Sequence, residues 1–180
     1  HIVGRIMAIS LTAIVLVAVW SMEQDRFRFS SRLLLTLVFV VIEGSVLLFD
    51  HLNLATLQLI AILAFTVITI VIACRQVLLT GAVDGNKIVG AICIYLLMGL
   101  AWAEAYLLIE RIFPGSIPAL SGELWRHHIE DALYFSYVTL TTLGYGDISP
   151  VQPLARYMVY MQAIVGQFYI AIVVASLIGA

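Results

Sequence analysis

The stretch Thr141-Thr142-Leu143-Gly144-Tyr145-Gly146-Asp147 decides how this chain is read. Two glycines bracket a tyrosine, two hydroxyls precede them and an acid follows. Glycine at every second position suits a backbone that must visit φ > 0, where a Cβ would clash. Directly before it, residues 129–141 form a short apolar stretch that opens with Glu130 and Asp131. Acids at the start and a glycine beyond the end mark a short helix. At 1.5 Å per residue such a helix is about 20 Å long, too short to cross a bilayer. A helix that enters and does not cross is re-entrant. Irregular backbone after it is tolerated at that depth only where it lines protein or a water-filled cavity.

Composition says that the setting is a membrane. Of 180 residues, 63% are hydrophobic and 11% charged, against about 45–50% and about 25% in an average protein. A soluble domain of this length cannot hide so much apolar surface. Runs free or nearly free of charge cover residues 6–22, 33–49, 54–74, 88–109 and 157–180, broken only by Glu43 and Glu104. Each meets the span length, the first two at its lower edge. None alternates as a barrel strand would. The fold class is therefore all-α integral membrane: three membrane helices, then an outer helix, a re-entrant helix, the glycine segment and an inner helix. The divisions are 1–87 and 88–180. Cys74 and Cys93 lie in apolar runs and read as buried thiols. A net charge of −2 offers no basic patch for nucleic acid. No nucleophile–base set, phosphate loop or HExxH pattern suggests an enzyme, and no cofactor is expected.

The glycine segment resembles the selectivity filter of tetrameric potassium channels, Thr-Val-Gly-Tyr-Gly, with Leu143 in the valine position. At usages of a few per cent each, the four matching residues arise by chance about once in 10⁵ starts, so the match is specific. The resemblance covers about residues 88–180 and is strongest at 141–147. It implies that the carbonyls of Thr142, Leu143, Gly144 and Tyr145 bind K⁺, with the Thr142 hydroxyl adding an inner ring and Gly146 permitting the backbone hand. It implies support for the filter from Thr141, Asp147, Tyr134, Phe135 and Val138. Tyr134 is the aromatic candidate to hydrogen-bond Asp147. Val138 stands where some members carry an acid, so acid-linked inactivation is not expected. One chain supplies one filter strand and a closed cage takes four. The implied partners are three identical subunits, the lipid bilayer and K⁺.

Farther along, Gly166 falls near the family's gating hinge, though a membrane-helix glycine also marks close packing. Gln167 faces either the central cavity or a neighbouring helix. In this family the pore loop enters from outside, which places the protein in a cell membrane with His1 outside. A further helix before His1 and a cytoplasmic domain after Ala180 both stay open. Three helices before a pore module suggest a voltage sensor. However, the stretch before the pore carries only Arg75, whereas each sensing charge gains about 2.3 kcal/mol per 100 mV. The channel is expected to lack strong voltage dependence.

Glu43 and Glu104 are either intramembrane sensors or structural acids facing another helix. His127 and His128, beside Glu130 and Asp131, read as a solvated turret, with a metal or pH site as the alternative. Between residues 110 and 156 five acids, Glu110 among them, outnumber three arginines, which predicts a cation-attracting mouth. The rival readings are a weakly selective cation channel and a transporter or signalling protein that keeps the loop as structure.

Overall fold

A computed structural model describes residues 55–78, 85–122 and 125–178. The expected spans at 6–22 and 33–49, with Glu43, lie outside the described residues. The chain divides into two compact units, His1–Phe65 and Thr66–Ala180. Of the first, only the opening turns of one helix are described.

Among the described residues the architecture is all-helical: α1 (Ala55–Leu78), α2 (Gly85–Ile112), α3 (Ile129–Leu140) and α4 (Pro153–Ile178). Helices α1, α2 and α4 are long and apolar enough to cross a membrane. At 24, 28 and 26 residues they run about 36, 42 and 39 Å, against a hydrocarbon core of about 30 Å. The 12 residues of α3 reach only about 18 Å.

Each boundary has a local cause. Helix α2 stops at Ile112 because Pro114 biases the residue before it away from helical geometry. Helix α4 starts at Pro153, four residues before the charge-free run, because proline suits the first helical position. Arg156 had hidden that start. Likewise α1 continues past Arg75 to Leu78 and α2 begins at Gly85, each extending beyond its charge-free run. A 3-10 turn, Trp125–His128, leads into α3, whose first turn carries Glu130 and Asp131 against the positive end of its dipole.

The core of the second unit is built around α3. Ile94, Met98 and Leu140 form a buried cluster, ringed by Ile70, Ala73, Cys74, Val77, Tyr95, Tyr137 and Tyr169. The Tyr137 hydroxyl donates to the Leu96 carbonyl at 2.8 Å, and the Tyr95 hydroxyl to that of Leu140 at 3.2 Å. Both cysteines are free and half-buried rather than buried, since Cys74 sits at the rim of this cluster. Helix α4 is different: Tyr157, Tyr160, Phe168 and Ile172 leave apolar surface bare along its length.

Candidate functional site

The site begins where α3 ends. Thr141 turns its hydroxyl back to the Tyr137 carbonyl at 2.7 Å, which caps the helix. From there the backbone takes the left-handed region at every second residue: Thr142 at φ 61°, Gly144 at 56° and Gly146 at 80°. In an ordinary strand successive carbonyls point to opposite sides. Alternating the hand turns successive peptide planes so that their carbonyls can share one side. Around Gly144 and Gly146 there is open space where a Cβ would stand. Glycine is needed there for backbone hand, not for room.

Thr142 has no such freedom. A β-branched residue at positive φ is strained, at a cost of order 1–3 kcal/mol. Backbone hydrogen bonds over-determine it. Thr142 N donates to Thr139 O at 2.9 Å, Leu143 N to Val138 O at 2.9 Å and Gly144 N to Val138 O at 3.2 Å. The donors of the first half of the segment, through Gly144, are thus taken by the end of α3. Its carbonyls remain available to a cation, near the negative end of that helix dipole. Val138 acts here through its main chain, a role that its side chain does not advertise.

At the far end of the segment, the Tyr134 hydroxyl donates to Asp147 Oδ2 at 2.6 Å. This bond holds the Asp147 carboxyl below its ordinary range, and the same carboxylate pushes Tyr134 up to about 12. The structure therefore brings together the pair that the sequence suggested. Phe135 turns the other way and is buried against Tyr106, with ring centroids 5.0 Å apart. At the start of the segment, Gln167 Nε2 lies 3.5 Å from Thr142 Oγ1, a long contact. Gly166 packs against α3: a Cβ there would lie 2.7 Å from the Leu140 carbonyl oxygen.

Other expected residues are placed differently. Glu104 is 5% exposed and accepts from the Thr66 hydroxyl at 3.0 Å, so it faces α1. Glu110 is not a mouth charge. It is 6% exposed and accepts from Gly115 N at 2.7 Å, Ile117 N at 2.6 Å and the Ser121 hydroxyl at 2.7 Å. One carboxylate organises the loop from Phe113 to Ser121, so it faces loop donors rather than open solvent. Ser116 O accepts from Val151 N at 2.9 Å, joining this loop to the segment after Asp147. His128 Nδ1 lies 3.9 Å from Asp131, and among the described residues no group of three metal-ligating side chains occurs.

Sequence reasoning missed Gln162. It is fully buried and bonded to Tyr106 and Ser136. A polar residue one turn from Gly166 was its only signal.

A family profile described as "Ion channel" matches residues 91–180. The chain is 33% identical over 84 residues to Two pore potassium channel c of Oryza sativa subsp. japonica, covering 47% of this chain and 16% of that protein. It is 37% identical over 91 residues to Inward rectifier potassium channel Kirbac3.1 of Paramagnetospirillum magnetotacticum, covering 48% and 26%. Protein LctB of Bacillus caldotenax is 32% identical over 84 residues, covering 44% and 61%. The chain thus spans about a sixth and a quarter of the first two relatives' length and 61% of the third's. No solved structure matches it.

Proposed function

The chain belongs to the ion-channel family, and on that premise we propose that it is one subunit of a potassium-selective pore, with 141–147 as the filter. It is a channel subunit rather than an enzyme. The observation that carries the potassium reading is the left-handed φ at Thr142, Gly144 and Gly146, on a segment in which the N–H groups of Thr142, Leu143 and Gly144 are bound to Val138 and Thr139. K⁺ must exchange its water for oxygens to cross. Carbonyls of Thr142, Leu143, Gly144 and Tyr145 are the oxygens left to offer. Two of the three relatives are named potassium channels.

Four copies are needed to close the cage. Leu143 is 56% and Tyr145 67% exposed in the single chain, and α4 is bare along an apolar face, which supports burial against further copies. The pore module is residues 88–180, preceded by a membrane domain over 1–87. The turret and filter mouth face the cell exterior, with Gln167 toward the cavity. Conduction is passive and not strongly voltage-dependent, because α1 carries Arg75 in its last turn as its one charge.

The test is reconstitution of the full chain in planar bilayers under bi-ionic K⁺ and Na⁺. The expected reversal potential lies near the K⁺ equilibrium value, with conductance varying gently with voltage. A reversal potential midway between the two ions would replace this reading with a weakly selective cation channel. Absence of unitary currents, together with no preferential K⁺ binding, would favour a loop kept as structure.

A further inference from the structure

Next to the helix that precedes the glycine segment, a buried hydrogen-bond circuit joins α2, α3 and α4. It starts on α2, where the Tyr106 hydroxyl donates to Gln162 Oε1 of α4. Gln162 Nε2 donates onward to Ser136 Oγ of α3 at 2.8 Å and to the Ser136 carbonyl at 3.0 Å. The Ser136 hydroxyl then donates to the Gly99 carbonyl at 2.6 Å, which returns the circuit to α2. Tyr106, Gln162 and Ser136 are all 0% exposed. Positions 99 and 106 are two helical turns apart on one face of α2, so the circuit clasps that helix at two heights.

The donors run in one direction and both hydrogens of the amide are used. Within a membrane an unmatched polar group has no water to turn to, so misregister of any one helix is costly. The circuit fixes the height and rotation of α3 against its neighbours. Ser136 is two residues from Val138 and three from Thr139, whose carbonyls hold the N–H groups of Thr142, Leu143 and Gly144. Hence a shift at Ser136 moves the acceptors on which the left-handed segment hangs.

We infer that Gln162 is a positioning residue for ion selection: through Ser136 it holds α3 where the Val138 and Thr139 carbonyls keep the filter in its K⁺-binding form. The inference rests on the potassium-filter reading. Gln162 touches neither the ion nor the filter and acts only through α3.

The test compares the full-length wild type with Gln162→Met, Ser136→Ala and Tyr106→Phe. Calorimetric titration of K⁺ and Na⁺ into the detergent-solubilised protein gives the ion preference, and native mass spectrometry gives the assembly. Gln162→Met keeps the volume and removes both bonds to Ser136. It is expected to lower the K⁺-over-Na⁺ preference about tenfold, the worth of roughly one net buried hydrogen bond, with assembly unchanged. Tyr106→Phe leaves the Ser136 contacts standing and should fall between wild type and Gln162→Met. A wild-type preference retained in full by Gln162→Met overturns the inference. If Gln162→Met does not assemble, Ser136→Ala and Tyr106→Phe decide on the same criterion. A wild type without K⁺ preference overturns the filter reading itself, and the inference with it.

Discussion

Two irregular segments flank α3, and they solve the same problem in opposite ways. The turret, from Phe113 to Ser121, brings a side chain to its backbone: the Glu110 carboxylate takes three donors, and Ser116, Ile117 and Leu120 are buried. The segment from Thr141 to Asp147 has the donors of Thr141 to Gly144 taken by main-chain carbonyls of α3 and is exposed throughout. The turret is complete within one chain. Through Gly144 this segment spends its donors and keeps its carbonyls, which suits the cation-binding backbone proposed for it. The two loops thus differ in what takes their donors: a side-chain carboxylate in one, helix carbonyls in the other.

The sharpest way to break this contrast is at Gly144. An alanine at its φ of 56° meets a strain of about 1–2 kcal/mol per subunit, repeated in every copy of the assembly. Gly144→Ala is expected to abolish K⁺ current while leaving the thermal melt of the protein within a few degrees of wild type. Persistence of wild-type conductance would show that the left-handed position is dispensable.

Glu110→Ala probes the other segment. Removing the carboxylate strands the Ile117 amide in a buried site, at about 2–3 kcal/mol. Amide exchange at Gly115 and Ile117 should accelerate strongly and the melting temperature fall, with K⁺-over-Na⁺ selectivity retained. Lost selectivity at normal exchange rates would mean that the turret acts on ions directly.

How far these segments were legible differs for the same physical reason. The filter segment declares itself because its requirement is local: backbone hand is written as glycine at fixed positions. The short helix and the three later spans were legible from charge-free runs, with error at Pro153, where Arg156 masked the helix start. Glu110 was read as a mouth charge because its partners are loop amides, and an amide leaves no mark in the sequence. Gln162 was missed because its partners are 26 and 56 residues distant. Long-range polar satisfaction has no period and no motif.

Gly166→Ala tests the seam between α4 and α3. A methyl 2.7 Å from the Leu140 carbonyl oxygen and 2.8 Å from its Cδ1 overpacks the contact, at about 1–3 kcal/mol. The melt should fall and the current with it. A changed open probability at an unchanged melting temperature would instead assign the glycine to hinge motion.

The smallest expected effect lies at the outer lip, where the filter segment borrows a side chain as the turret does. Asp147 is held below its ordinary 3.8 by the Tyr134 hydroxyl bond, and Tyr134 is raised to about 12 by the same contact. For the acid, a folded-state value below the unfolded one gives stabilisation that is complete above the unfolded value and lost as pH falls through the folded one. For the phenol the sign reverses: stabilisation is complete below its unfolded value near 10 and lost as pH rises through about 12. The contact is therefore intact between about pH 5 and pH 10, and conductance should show no titration from this pair within that window. Tyr134→Phe removes the donor and lets Asp147 titrate nearer its ordinary value. A carboxylate NMR titration of Asp147 should accordingly give a higher midpoint in the Phe variant than in wild type. Equal midpoints would mean that the hydroxyl does not hold the carboxylate, leaving the filter with main-chain support alone.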